Sequence, residues 1–595
     1  QITNWLSLRA QLSTDITDTK QTLEYETERP NSLYDPSGSF QNINRRYDIV
    51  YGDVMLNFNY NIRRFDIAAT LGWTGRYENM NNMRVSTNGG LVTENWFDLN
   101  ASRYTASSTL QRMELLKTGY MGTLSLGWDN YLFLELTGRQ ERSSTLKDQS
   151  FFYPSANLSF LFSNAFRMPA WWNHGKLRLS YGVVGNAPET YAANIIYEQG
   201  SDNGFTWNYV PSSWGNANIR PEKKYEYEIG FESKFLNNRL GFDVSYYNNR
   251  VKDQILSTPQ PSTSGVKYVL MNVGEVANEG WDISVSATPI LTKNFRWDLT
   301  ANYGIYRNKV VKLADGVPYL EISNIGGGGA KIQAVEGRPM GDIYVQVPQM
   351  NENGEYLVSD KGLYMNQTEL QRVGNINPDG VGGLFSSFSY KNIFLDFSID
   401  FRIGGDVINE MYQYSTASGL TPESLQFRDT EHGGLSYYYP GNNNASGVPV
   451  QVDPSLGAGP NGETVYHDGV ILPGVVASTG EKNTRIIPAG YYYNQTYNWG
   501  TQPEQLTYRH SVFDNSYVKL RELTIGYQFP EKLISKLGMT RLSVSVFGRN
   551  LFYFYKALKN YDAESSVGTS WASQAVVGGS TTATRNFGVS LRASF

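Results

Sequence analysis

Cysteine is absent from the 595 residues of this sequence, which excludes disulfide bridges and thiolate metal sites. No run of about 18 apolar residues occurs, so a helical membrane span is excluded as well. Lysine and arginine form no basic block and the net charge is −5, which argues against a nucleic-acid partner. The four histidines, His174, His432, His467 and His510, are isolated from one another, and we expect neither a metal site nor another cofactor.

Sequence patterns of enzymes are also missing. No Lys-Ser or Lys-Thr pair follows the glycine run at residues 326–329, so this run predicts a flexible loop rather than a phosphate-binding loop. Asp396 and Asp400 lie on the polar face of a predicted strand, where solvation explains the carboxylates better than acid–base catalysis does. We therefore expect no catalytic residues and no enzyme.

Aromatic residues, by contrast, are abundant. They make up 14% of the sequence, with 42 tyrosines, and glycine numbers 57. The mean hydropathy is nevertheless −0.42. Strands that are apolar on one face only combine these properties, and for this reason a membrane β-barrel produces a weak hydropathy signal. The composition predicts a large all-β protein with long polar loops.

The last eleven residues show the pattern that recurs along the chain. Apolar side chains alternate with polar or small ones, so one face of an extended strand is apolar. The apolar positions are Phe587, Val589, Leu591, Ala593 and Phe595. About sixteen segments show this alternation, and many exceed ten residues, whereas a tilted transmembrane strand needs about 9 to 11.

The connections between these segments alternate strictly between short and long. The long ones span about residues 16–45, 78–103, 186–222, 257–279, 312–380, 404–515 and 556–584. Outer-membrane barrels have short periplasmic turns and long extracellular loops, whereas soluble sandwiches and propellers do not segregate loop length in this way. The pattern predicts one transmembrane, antiparallel up-and-down β-barrel domain over residues 1–595, with about sixteen strands.

Four motifs add a resemblance to a known family. They are YVKLRELTIGY at residues 517–527, GRNLF at 548–552, NVGEVANEGWD at 272–282 and EGRPMG at 336–341. The corresponding family patterns are YVKLRELTLGY, GRNLF, NxGEvxNxGxE and EGxPxG. In the third of them, Asp282 replaces the usual Glu. The chain resembles the SusC/RagA family of TonB-dependent outer-membrane transporters of Bacteroidetes over essentially its whole length.

The resemblance implies an expectation about the missing parts. Family members carry an N-terminal domain, a TonB box and a plug before a barrel of 22 strands, and none of these N-terminal elements is recognisable here. We therefore expect the C-terminal part of a barrel, with sixteen of 22 strands and with the partner of the last strand lying before Gln1. Phe595 matches the C-terminal aromatic residue that the barrel-assembly machinery is thought to read.

The resemblance also implies a function. It implies TonB-dependent import of oligosaccharides or peptides across the bacterial outer membrane, with a SusD-like surface lipoprotein as partner and TonB engaged through the absent N-terminal region. Outer-membrane lipid surrounds such a barrel, and a dimer of transporter–lipoprotein pairs is a further expectation. Two alternatives stay open, a passive porin-like channel and a surface glycan-binding β protein.

The long loops supply the candidate substrate-binding residues. Flat aromatic rings combined with amide groups suit both sugars and peptides. The candidates are Trp207, Trp214, Tyr437, Tyr438, Tyr439, Asn443, Tyr491, Tyr492, Tyr493 and Trp499. The same residues could instead pack the loops together or contact a protein partner.

Overall fold

Long β-strands connected by short turns on one side and long loops on the other make up most of the chain. The computed structural model describes residues 1–27, 37–147, 149–202, 205–325, 328–498, 507–566, 568–579 and 583–595. These residues form two compact units, Gln1–Ser233 with Ser245–Ala277 and Lys234–Val244 with Asn278–Phe595.

Sixteen of the strands form one antiparallel sheet, and their order in the sheet is their order in the chain. We label them β1 (Leu6–Tyr25), β2 (Ser39–Ile62), β3 (Phe65–Leu91), β4 (Ser102–Trp128), β5 (Leu132–Ser143), β6 (Ser150–Phe160), β7 (Trp172–Asn186), β8 (Glu222–Phe235), β9 (Leu240–Lys252), β10 (Glu275–Leu291), β11 (Phe295–Lys312), β12 (Gly380–Tyr390), β13 (Ile393–Ile403), β14 (Tyr517–Gln528), β15 (Arg541–Lys556) and β16 (Asn586–Ser594). This arrangement confirms the predicted up-and-down meander of sixteen strands.

In the first unit, the strand register aligns apolar side chains across neighbouring strands. One row runs over six strands through Ile62, Phe65, Trp128, Leu132, Phe160 and Leu177. Because successive side chains in a strand point to opposite faces, a row of this kind lies on one face of the sheet. Phe65 and Trp128 stack with their ring centroids 6.4 Å apart, as expected of an aromatic girdle at a membrane interface.

The apolar face of β3 has a defined length. It begins at Phe65 and ends at Tyr77, beyond which the same face continues with Asn79 and Asn81. The twelve residue steps correspond to about 40 Å of strand, which spans about 28 Å at a tilt of about 45°. This span matches the apolar band of about 25 Å on outer-membrane barrels.

Two of the predicted loops are shorter in the structure. The segments predicted as loops at about 16–45 and 78–103 lie largely within strands, because β1 and β3 continue to Tyr25 and Leu91 while β2 and β4 begin at Ser39 and Ser102. The strands continue past the apolar band because ladder hydrogen bonds need only backbone groups, so polar pairs such as Asp18 and Arg46 extend the sheet in water.

The predicted loop at about 257–279 also contains regular structure. Strands Ile255–Pro259 and Tyr268–Asn272 pair with each other, and β10 already begins at Glu275. The remaining long connections lie close to their predicted bounds.

In the second unit, a corresponding apolar row crosses six strands. It runs through Leu591, Val544, Tyr527, Ile393, Tyr390 and Phe295. The adjacent positions on the other face carry the polar side chains of Ser590, Ser545 and Ser389. Leu591 is 67% exposed, and an apolar row with this exposure requires lipid to cover it.

The long loops of the second unit fold together. Leu357–Val358 pairs in parallel with Val475–Val476, which joins the loop after β11 to the loop after β13. Ile343, Ile408 and Val576 come from three different loops and belong to one buried apolar cluster. These loops therefore have a core of their own.

The helices are short. They are α1 (Phe162–Ala165), α2 (Glu410–Ala417), α3 (Ala489–Tyr497) and α4 (Glu531–Ile534). None of the helices in the described part of the chain is long and apolar enough to cross a membrane.

A pair of arginine substitutions tests the face assignment in β16. Leu591→Arg should weaken barrel assembly, because a charge on the lipid face is destabilising, by about 2–4 kcal/mol at the bilayer centre and by less towards the interface. Ser590→Arg should be tolerated, because Ser590 lies on the opposite face and is partly buried. The folded fraction is read from heat-modifiable migration of the barrel in gels, and equal losses from both substitutions would contradict the register.

Candidate substrate-binding loops

The loop between β7 and β8 forms a small folded module with the loop between β9 and β10. Ser213–Trp214 pairs with Tyr268–Asn272, and a separate hairpin is formed by Glu198–Asp202 and Phe205–Tyr209. Beneath them, Leu146, Phe151 and Ile219 form a buried cluster. The module thus holds the hairpin on an ordered base.

The two candidate tryptophans of this module differ in their surroundings. The Trp207 side chain lies over Gly200 on the hairpin and is 48% exposed. Trp214 is partly buried, and its ring packs edge to face against Tyr197 with the centroids 5.7 Å apart. Trp207 therefore offers an accessible ring, whereas Trp214 fastens the hairpin to the module.

The tyrosines at 437–439 contribute mainly to loop packing. Tyr437 is 1% exposed, its ring stacks on Tyr466 with the centroids 5.5 Å apart, and its hydroxyl donates to Asp468. Burial, reinforced by the negative charge of Asp468, raises the pKa of Tyr437 above its ordinary value. Tyr438 and Tyr439 are partly buried.

Asn443 lies at an exposed turn of the same loop. Its side-chain oxygen accepts a hydrogen bond from the Ser446 backbone N–H at 3.3 Å, and its amide donates to the Ser446 hydroxyl at 3.0 Å. The side chain stabilises the turn while staying accessible from solvent.

The tyrosines at 491–493 belong to α3. Tyr493 is buried, and its hydroxyl donates to the Glu423 carbonyl at 2.9 Å, while burial raises the pKa of Tyr493 to about 12. Tyr491 and Tyr492 are partly buried against the cluster that contains Leu363. Trp499, the remaining candidate, lies outside the described residues.

The nine described candidates thus differ in how accessible their side chains are. The rings of Tyr437 and Tyr493 pack inside the loops, as the alternative interpretation of the sequence proposed. Trp207, Tyr438, Tyr439, Asn443, Tyr491 and Tyr492 stay candidates with some accessible surface.

Sequence reasoning missed a charged cluster formed by Asp400, Lys519, Arg521 and Glu564. Lys519 Nζ lies 2.5 Å from Glu564 Oε2, and Arg521 Nη2 lies 2.6 Å from Glu564 Oε1. Arg521 Nε also donates to Asp400 Oδ2 at 2.5 Å. Since Glu564 belongs to the last long loop, the cluster fastens that loop to β13 and β14.

The protonation of Glu564 follows from this environment. Burial alone would raise its pKa, but the hydrogen bonds and positive charges of Arg521 and Lys519 outweigh burial and lower the pKa of Glu564 to about 2. The carboxylate is therefore ionised at neutral pH. No local pattern of the sequence pointed to Glu564.

A metal site finds no support in the described ranges. No group of three or more histidine, aspartate or glutamate side chains there could hold a metal ion.

Comparison with known proteins identifies the family. The sequence model of TonB-dependent receptor-like β-barrels matches residues 2–342. The chain belongs to this family of TonB-dependent receptor β-barrels. The family consists of outer-membrane receptors and transporters rather than enzymes, which places the chain in the bacterial outer membrane.

Named relatives come from Bacteroidetes. TonB-dependent receptor P3 of Formosa agariphila is 22% identical over 494 residues, which is 75% of this chain and 42% of that protein. TonB-dependent receptor SusC of Bacteroides thetaiotaomicron is 27% identical over 256 residues, 38% of this chain and 24% of that protein. The chain spans less than half the length of these curated relatives.

Two solved structures share the fold of this chain. The RagAB peptide transporter covers 95% of this chain with a TM-score of 0.69, and the chain covers 58% of it. The RagAB peptide importer in its "open-open" state covers 100% with a TM-score of 0.71, and the chain covers 60% of it. Both are 18% identical in sequence. The chain is therefore of the SusC/RagA type in its fold.

The buried tyrosine predicts a stability effect. Tyr437→Ala should destabilise the loop after β13 by about 3–5 kcal/mol, since removing a buried aromatic ring leaves a cavity. Protease digestion of the folded receptor should then cut within residues 404–515. Asn444→Ala, at an exposed position of the same loop, is the control. Unchanged resistance in Tyr437→Ala would show that the ring does not support the loop.

Glu564 predicts a second effect, on the last long loop. Glu564→Gln should expose residues 557–585 to protease at neutral pH, because two charge-assisted contacts are lost, whereas Glu352→Gln on another loop should not. The pKa of Glu564 is lowered from 4.5 to about 2. Its contribution to the stability of the loop is therefore complete above pH 4.5 and disappears as the pH falls through about 2. Digestion of the unmodified receptor with pepsin in the acid range and with a neutral protease near neutral pH measures this loss, and release of the loop already near neutral pH would contradict the assignment.

Proposed function

We propose that the chain is part of a TonB-dependent outer-membrane importer that takes up oligosaccharides or peptides. The observation that carries the proposal is the two-faced sheet of a TonB-dependent receptor, apolar on the row of Leu591 and polar on the row of Ser590. The polar face carries Asp298, Asp396 and Asp400, and charged side chains are tolerated where a lumen holds water.

The partners follow from the relatives rather than from this chain. RagAB is described as a peptide transporter and SusC is a TonB-dependent receptor. By analogy, we propose a SusD-like surface lipoprotein that covers the loop side and opens to admit substrate. TonB, powered by the proton gradient of the inner membrane, would act through a region outside these 595 residues. A dimer of transporter–lipoprotein pairs belongs to the same analogy.

The folded loops support capture of an oligomer at the surface. Loops that share a core, such as those contributing Ile343, Ile408 and Val576, form a stable surface rather than a flexible fringe. Such a surface holds exposed side chains in defined positions, which reduces the entropy lost when a ligand binds.

Uptake by living cells tests the proposal. Cells that carry the receptor are given fluorescent oligosaccharides or peptides, and intracellular label is followed with and without a protonophore that abolishes the proton gradient. An importer driven by TonB should stop accumulating label when the gradient collapses. A passive porin would still equilibrate small solutes, so continued uptake under the protonophore would contradict the proposal.

The lipoprotein is tested separately. Deleting the gene for a neighbouring SusD-like lipoprotein should reduce uptake of the oligomer while leaving the receptor folded in the membrane. Undiminished uptake without any such lipoprotein would remove that partner from the proposal and leave the importer itself intact.

A further inference from the structure

The hairpin of Glu198–Asp202 and Phe205–Tyr209 presents three aromatic rings in one line. Phe205, Trp207 and Tyr209 alternate with Thr206 and Asn208, so the three rings share one face of the strand. The rings occupy about 13 Å along the strand at about 3.4 Å per residue. Phe205 is 78% exposed, Trp207 48% and Tyr209 44%. We call these three residues the aromatic strip.

The opposite strand shapes this face. Residues directly paired across an antiparallel ladder share a face, and the pairs are Gly200 with Trp207 and Glu198 with Tyr209. A Cβ on Gly200 would lie 2.7 Å from the indole, so the missing side chain lets the indole lie close over the backbone. The Tyr209 hydroxyl hydrogen bonds to the Glu198 carboxylate.

A cavity adjoins the strip through Glu198. It has a volume of about 570 Å³, within the range of about 300–1,000 Å³ that is typical of small-molecule sites. Its polar lining includes Glu189, Glu198, Glu222, Asn186 and Asn194. Ile196, Ile255 and Leu270 supply apolar surface. The cavity therefore combines hydrogen-bonding groups with hydrocarbon.

The charge of this lining restricts the ligand. Three carboxylates line the cavity, and the described lining includes no lysine or arginine. Glu222 already accepts hydrogen bonds from the Asn186 amide and the Ile255 N–H. Because carboxylates only accept hydrogen bonds, Glu189 and Glu198 favour a ligand that supplies donors, and an anionic ligand would be repelled. The described side chains also hold no cluster suited to a metal ion, which argues against a metal ion as the occupant.

We propose that the aromatic strip and the adjoining cavity bind a neutral oligosaccharide. Sugar rings have flat faces of C–H groups that stack on aromatic rings, and their hydroxyls donate to carboxylates and amide oxygens. Glu198 stands where both requirements meet, next to Tyr209 and in the cavity wall. The inference rests on the proposed import function for its biological role, and it selects sugars over peptides and neutral over acidic glycans.

A protein is a poorer occupant of the strip. The three rings expose about 250–430 Å² together, if each aromatic side chain offers about 150–250 Å². A stable protein interface buries about 800 Å² on each partner. The strip is therefore too small to hold a protein by itself.

Binding by the purified full-length receptor in detergent tests the proposal. The probes are neutral hexasaccharides of glucose, mannose and xylose, acidic oligosaccharides bearing sulfate or carboxylate groups, and a lysine-rich hexapeptide. At least one neutral sugar should bind, and the acidic sugars should not. Binding of the acidic sugars, or of the peptide alone, would overturn the proposal.

Substitutions on opposite faces of one strand locate the binding. Trp207→Ala should weaken the neutral sugar about tenfold, the amount expected for one stacked ring. Asn208→Ala, on the other face of the same strand, should leave affinity unchanged. Equal affinity in both variants would remove the strip from the site.

A charge-neutral variant of Glu198 separates sugar from cation recognition. Glu198→Gln keeps the size of the side chain, so it also serves if Trp207→Ala fails to fold. For a neutral sugar the affinity should fall about three- to tenfold, because a hydrogen bond to an amide is weaker than one to a carboxylate. The affinity should also be insensitive to salt, because a neutral ligand makes no charge pair. Tighter binding of the lysine-rich hexapeptide than of any neutral sugar, with an affinity that falls steeply as salt is added, would show that the site recognises a cation instead.

Binding and import can fail independently. Cells without TonB should still bind the neutral sugar at their surface and lose binding in Trp207→Ala, because binding needs no energy. If sugar binds but never enters energised cells, the import function is wrong while the site stands. If import proceeds undiminished in Trp207→Ala cells at limiting sugar concentration, the site is wrong while the import function stands.

Discussion

Every backbone N–H and C=O that crosses a lipid bilayer must find a hydrogen-bond partner within the protein, and this constraint governs the sixteen-strand sheet. An antiparallel ladder satisfies the constraint for every strand that has a neighbour on both sides, so that side chains remain free to differ on the two faces. The outer face carries unbroken apolar rows, such as Leu591, Val544 and Tyr527. All chemical variety is therefore confined to the inner face and to the loops.

Beyond the bilayer, water can pair with backbone groups and the constraint disappears. The strand β3 continues fourteen residues past Tyr77, to Leu91, with polar side chains, and the long loops acquire buried cores of their own. Aromatic residues then serve two purposes. The rings of Tyr437 and Tyr493 are buried and pack inside the loops. Trp207 lies over the flat backbone at Gly200 and stays exposed.

Period-2 alternation was sufficient to predict the sixteen strands and the face of residues such as Leu591. The reason is that every strand must present apolar side chains to lipid at every second position. It failed at the ends of β1 to β4, where polar residues pair as well as apolar ones. It could not predict that Leu357–Val358 pairs with Val475–Val476, since more than a hundred residues separate them. Glu564 was missed because its partners Arg521 and Lys519 lie 43 and 45 residues away along the chain. The exposed ring of Trp207, by contrast, was among the candidates that composition alone suggested.

The contact of the apolar rows with lipid is the central claim, and spin labels measure it directly. Because these 595 residues lack cysteine, single cysteines at successive positions 587–593 would carry one label each in a reconstituted bilayer. Accessibility to oxygen, which dissolves in lipid, should be high at Phe587, Val589 and Leu591, and accessibility to a water-soluble nickel complex should be high at the positions between them. Uniform accessibility along β16, or alternation of the opposite phase, would contradict the claim.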